Sequence, residues 1–244
     1  MRLCEQLRVV RRERLRQLLL KPPAEVPQHP RLGFVPYGEL VRIGEATGEL
    51  EEHKGLISTQ LKVNGLLRLM AHTRGYDFKQ GFLRLDGKNT FDDESFDKIL
   101  KTLVGIANIR KGVRGYVLVG VADTSADAQR VTKLYGVNPT PLDRFFITGV
   151  EHEAVALAKS LDDLFMDLAA KIKASALSEP LRDYVARNVK SVRYYDKTIF
   201  VFETQAQAEP SNFGGAFFVR HGNQLAEVPA AQYGELFKRF IAGM

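Results

Sequence analysis

The stretch DDESFDKILKTLVGIANIRKGVRGYVLVGVAD, residues 92–123, decides the fold. Phe96, Ile99, Leu100, Leu103 and Val104 recur at three- and four-residue spacing, the apolar stripe of an amphipathic helix. Asp92, Asp93 and Glu94 fall at the positive end of that helix's dipole, so the spacing predicts a helix over 93–108. Ile109 to Arg114 then reads as a basic loop. YVLVGV at 116–121 is a continuous apolar run of the length of a strand buried on both faces, which places it in the middle of a sheet.

Toward the C-terminus, Ser160 reads as the N-cap of a second helix, with Asp162 and Asp163 in its first turn and Leu164, Phe165, Leu168 and Ile172 inward. A short helix is expected over 179–188. SVRYY and TIFVFET flank Asp196-Lys197 as an antiparallel hairpin, and GAFFVRHG adds a strand at 215–222. Pro229 opens a last helix with Tyr233, Leu236, Phe237, Phe240 and Ile241 as its buried stripe.

Toward the N-terminus, residues 73–91 read as a loop carrying one strand or hairpin around FLRL at 82–85. LEEHKGLI at 50–57 reads as a strand leading into a helix through Leu66 to Met70, and a short helix fits Tyr37 to Thr47. Pro22, Pro23, Pro27 and Pro30 cannot continue a helix. They separate an Arg-rich opening helix, which carries Arg8, Arg12 and Arg16 at four-residue spacing, from the rest. The expected organisation is a basic helical and Pro-rich arm over 1–31 and one domain over 32–244. The fold class is α/β leaning to α+β, a mixed sheet flanked by helices.

With 35 Lys and Arg against 29 Asp and Glu, the net charge of +6 attracts phosphate-rich partners. A single cysteine, Cys4, excludes an intrachain disulfide and a multi-cysteine zinc site and suits a reducing compartment. No apolar run approaches the roughly 20 residues of a membrane span, and Arg stands where an export signal has its apolar core. A cytoplasmic protein is the expectation. The glycines at 112–120 and 214–215 lack Walker spacing. His152-Glu153 begins a zinc-protease pattern, but Ala156 stands at the second histidine. No Gly-x-Ser-x-Gly elbow exists.

Three segments in order carry a resemblance: Glu52-His53-Lys54 on an expected strand, Ile106-Ala107-Asn108 closing a helix before GYVLVGVAD, and FFVRHG near the C-terminus. Together they resemble the Schlafen-type AlbA nucleic-acid-binding domain, which has a Glu-x-Lys strand, a helix ending in Phe-Ala-Asn, a Gly-rich turn, a Leu-Ile-Gly-Val-Asp-Asp strand and a later Tyr-Ile-Arg-x-Gly strand. The resemblance covers about residues 45–241. Ile106 replaces the aromatic before Ala107, and Ala122 replaces the first acid of the Asp-Asp pair.

The resemblance implies a single Schlafen-like lobe and a metal-dependent endoribonuclease acting on structured RNA, such as a toxin or an antiviral defence effector. Its alternative is a non-catalytic DNA- or RNA-binding module, or a subunit that reaches a protein partner through the N-terminal arm. Carried over, Glu52 and Asp123 match two acidic positions. Thr47 stands where the remaining glutamate belongs, with Glu49 or Glu45 nearby. The implied catalytic set is Glu49, Glu52, Asp123 and Lys54, and the three acids would hold Mg²⁺ or Mn²⁺. For binding, Arg110, Lys111 and Arg114 offer cations to a phosphate backbone beside the strand that ends at Asp123, with Arg220 and His221 joining them. Cations and acids are thus expected to share one groove. No aromatics are interleaved with these cations, so backbone and shape recognition is expected rather than base stacking. Because the family builds its groove from two lobes, a homodimer or a larger partner is implied.

Overall fold

The computed structural model describes residues 75–142, 144–222 and 224–241. The arm over 1–31 and the elements expected between 37 and 70 lie outside them. In the described part β1 (Tyr76–Lys79) leads through α1 (Asp93–Ala107) to β2 (Arg114–Val119), and the two strands run parallel. β7 (Lys197–Gln205) lies antiparallel on the other side of β2, and β6 (Lys190–Tyr194) closes the order β1-β2-β7-β6. The strand expected at the centre of a mixed sheet is therefore at its centre, and the α/β class holds.

α1 forms where its apolar stripe predicts. The Asp92 side chain accepts from the Ser95 N–H at its start, and Phe96, Ile99, Leu100, Leu103 and Val104 are buried. They pack on Val117, Val119, Phe200 and Phe202 from one face of the sheet. α4 (Leu161–Ala174) and α5 (Leu181–Asn188) complete that layer with Leu164, Leu168 and Leu181. Ser160 caps α4 as its sequence predicts, in a reciprocal box with Asp163.

The opposite face is covered in part by a small sheet of β3 (Val121–Ala122), β5 (Phe145–Ile147) and β4 (Thr140–Leu142). Val121, Leu142, Phe145 and Ile147 meet Phe78, Leu118 and Ile199 there. A third sheet orders β10 (Gln224–Glu227), β9 (Ala216–His221) and β8 (Asn212–Phe213), with β9 against α1. α6 (Tyr233–Ile241) follows one 3-10 turn and buries Leu236 against Val219 and Val228.

Three expectations shift. The strand before α1 is Tyr76–Lys79, not FLRL, where Leu83 makes only an isolated bridge to Phe91. The run 116–121 is broken at Gly120, whose φ of +100 turns the chain out of the main sheet, so Val121 pairs with Ile147 instead. α2 (Ser125–Tyr135) and the β4–β5 hairpin were not anticipated. A Cβ at Gly120 would stand 3.2 Å from Gly149 backbone atoms and from the Thr198 carbonyl. Gly120→Ala is accordingly expected to cost about 2 kcal/mol in urea unfolding, and an unchanged midpoint would contradict this account of the turn. Among the described residues no helix is long and apolar enough to cross a membrane.

Candidate nucleic-acid interface

β2 has two chemically distinct ends. Arg114 opens it and Val119 closes it, five residue steps or about 17 Å apart. The basic loop enters at the first end and Asp123 follows the second. The cations and the acid expected to share one groove thus stand at opposite ends of one strand, because the strand begins at Arg114 and runs its full length between them.

At the closing end, Asp77 and Lys79 on β1 lie in register with Val117 and Val119. Lys79 Nζ sits 2.5 Å from Asp77 Oδ2, and Arg220 Nη2 donates to Asp77 Oδ1 at 3.0 Å. Although the Asp123 side chain reaches solvent, removal of water by its surroundings holds its carboxyl above the usual range. The charges of Asp77 and Asp127 add to that shift, while Lys79 and Arg144 oppose it. The structure therefore gathers Asp77, Lys79 and Asp123. Asp77-Phe78-Lys79 is itself an acid-x-Lys strand that precedes the helix, the pattern expected at Glu52-His53-Lys54. Glu49, Glu52 and Lys54 lie outside the described residues.

Arg220 was expected to face nucleic acid. It is instead buried, its side chain 3% exposed, paired to Asp77 and donating from Nε to the Gly222 carbonyl. Breaking such a buried pair strands a charge, so Arg220 reads as a structural tie between β9 and β1. His221 is exposed and lines a surface groove of about 170 Å³ with Gln232, Glu235 and Arg239, on the α6 side.

At the opening end, Arg110 and Lys111 are exposed and make no ion pair among the described residues. Asn108 anchors the loop's root. It is fully buried, its Nδ2 donates to the Ser211 and Phe218 carbonyls at 2.8 and 2.9 Å, and its Oδ1 accepts from the Ser211 N–H at 2.9 Å. Arg114 Nε lies 3.3 Å from Glu203 Oε1, and its Nη2 donates to Gln205 Oε1. Lys190 Nζ lies 3.2 Å from the other Glu203 oxygen, and the Tyr184 hydroxyl donates to Glu203 at 2.7 Å. Burial and that bond to a carboxylate push the Tyr184 hydroxyl up to about 12, so it stays protonated.

Outside both ends, α3 (Glu151–Ala156) carries the pair set aside as a broken zinc motif. Burial, assisted by Lys197, holds His152 down to about 4, while its ring lies 4.9 Å from that of Tyr135. Glu153 is buried and accepts from the Phe82 and Leu83 N–H groups at 2.7 and 2.9 Å, yet burial still pushes it up to about 7. No group of three His, Cys, Asp or Glu among the described residues could hold a metal ion. Both Asp77 oxygens are taken by cations, and Asp123 is the one member of the expected metal set, Glu49, Glu52 and Asp123, that falls among the described residues.

No family model matches the chain, and no curated protein matches it. Among solved structures, the chain is similar to the DIP2311 protein from Corynebacterium diphtheriae at 20% identity and a TM-score of 0.42. The match covers 70% of this chain and 28% of DIP2311, so the chain spans well under a third of that protein's length.

Proposed function

We propose that this chain is a nucleic-acid-binding protein of the Schlafen AlbA kind, holding a sugar-phosphate backbone at the opening end of β2. The observation that carries the reading is the loop 109–113. Arg110 and Lys111 project from it without ion-pair partners among the described residues, and the buried amide of Asn108 fixes its root. Cations without ion-pair partners among the described residues, on a root anchored by hydrogen bonds, suit phosphates, since their neutralisation releases condensed counterions. A cytoplasmic setting, and a second copy or larger partner completing the groove, belong to the same proposal.

Fluorescence anisotropy with labelled RNA and DNA 20-mers between 50 and 200 mM KCl tests it. Tight binding at low salt is expected to fall steeply as salt rises. The double variant Arg110→Gln, Lys111→Gln is expected to make the slope of log K against log salt shallower by about 1.5. Absence of binding at 50 mM salt rejects the proposal.

Cleavage is a second reading, favoured by the proximity of Asp123 to Asp77. Incubation of RNA with Mn²⁺ tests it, since degradation that Asp123→Ala abolishes would make the protein a nuclease. Binding without cleavage would reject this second reading and leave the first.

A further inference from the structure

We infer that the face of the main sheet opposite α1 carries, at the opening end of β2, a stacking platform for a base of single-stranded nucleic acid, with Tyr76 as the receiving ring. The inference rests on the nucleic-acid reading above and departs from the expectation of backbone recognition alone.

Tyr76 and Tyr116 are direct neighbours across the parallel β1–β2 pair, so their side chains leave the same face of the sheet. Their ring centroids are 5.4 Å apart and the planes 20° from parallel, and both residues are partly exposed. The small sheet covers this face over the next row, where Phe78 meets Phe145 at 4.4 Å and Leu118 is buried. The tyrosine row lies at the margin of that cover. β1 is the outer strand of the sheet among the described residues, and Tyr76 stacks there on no aromatic except Tyr116. The pair is thus a short π stack whose outer ring has no further aromatic on it among the described residues.

Charge around this stack favours a polyanion. The third residue in the row is Glu203, opposite Tyr116, and its carboxylate is matched by both Arg114 and Lys190. Two cations against one acid leave an excess of positive charge beside the rings, and Arg110 and Lys111 add two more at the same strand end. An aromatic surface that accepts any base, flanked by cations that hold the connecting phosphates, is the chemistry of single-strand binding. A duplex keeps its bases stacked on one another and presents none to such a ring.

The test uses the full chain and three probes of equal length: a U-rich RNA, its T-rich DNA counterpart, and a DNA of the same backbone with abasic sites throughout. Base-bearing strands are expected to bind roughly ten-fold more tightly than the abasic strand. Tyr76→Leu should remove that difference, and Tyr76→Phe, which keeps the ring, should preserve it. Equal binding of base-bearing and abasic strands by the unaltered protein overturns the platform while leaving the nucleic-acid reading intact, and needs no variant to fold. A base-dependent difference that survives Tyr76→Leu in folded protein also overturns it. No binding to any strand at low salt removes both readings.

Discussion

Asn108→Ala is expected to destabilise the protein by about 4 kcal/mol, the largest effect among the substitutions considered. The side chain is wholly enclosed and makes three hydrogen bonds, two donated to carbonyls and one accepted from an N–H. Alanine leaves the Ser211 N–H and the Ser211 and Phe218 carbonyls buried without these partners, at about 1–3 kcal/mol for each unsatisfied group, offset in part by relaxation. The urea midpoint at constant slope measures the loss, and a change below about 1 kcal/mol would contradict it. The substitution should also weaken nucleic-acid binding in protein that remains folded, because the same amide fixes the root of the loop that bears Arg110 and Lys111. The asparagine that ends the Ile-Ala-Asn segment is therefore a joint between α1 and the strands of the C-terminal sheet.

Glu153→Gln is expected to stabilise the protein by about 2 kcal/mol at pH 8 and to give no gain at pH 5. An acid whose value rises from 4.5 in the unfolded chain to about 7 in the fold binds a proton that the unfolded chain has lost. It therefore withdraws stability as pH climbs from 4.5 to 7, by about 3 kcal/mol in all at 1.36 kcal/mol per pH unit. Glutamine keeps an oxygen for the Phe82 and Leu83 N–H groups and carries no charge, though its amide hydrogens add a cost of their own. His152 acts in the opposite sense, because its value falls from 6.5 to about 4. It lends stability that is lost as pH falls through that window. Thermal melts of both proteins at pH 5 and pH 8 measure the effect, and equal gains at the two pH values would show that Glu153 is not buried as a charge. Gly81 belongs to the same arrangement, since a Cβ there would lie 2.0 Å from Glu153 Oε1.

What could be read from the sequence was local. α1 declared itself through an apolar stripe and acids at its start, and α4 through a capping serine, because both signals lie within a few residues of each other. α2 was overlooked because it buries only Ala128 and Val131, too little for a periodic pattern. Its ends were nevertheless marked by Thr124, whose side chain accepts from the Asp127 N–H, and by Gly136 at φ +68. β1 was displaced to FLRL because Tyr-Asp-Phe-Lys alternates over only four residues, and its aromatics and charges look alike in a polar stretch. At the candidate site, Asp123 was expected to share a groove with Arg110, Lys111 and Arg114, which stand at the other end of β2, and its actual neighbour Asp77 comes from a distant part of the chain. Arg220 was misjudged for the same reason, as its burial depends on a carboxylate 143 positions earlier. The Tyr76–Tyr116 stack was equally hidden, since forty residues separate two rings that meet only when β1 pairs with β2.

The order β1-β2-β7-β6 also fixes a timetable for synthesis. β2 can pair with β1 as soon as α1 has emerged, but its other edge waits for β7, roughly eighty residues later. At about 5–20 residues per second, a ribosome leaves that edge open for about 4–16 s. During that interval the apolar Val117-Leu118-Val119 segment presents unpaired backbone groups to neighbouring chains. Growing polypeptide is therefore most vulnerable to aggregation after β2 has emerged and before β7 follows, and slow translation between residues 120 and 200 should lower the soluble yield more than an equal pause after residue 205.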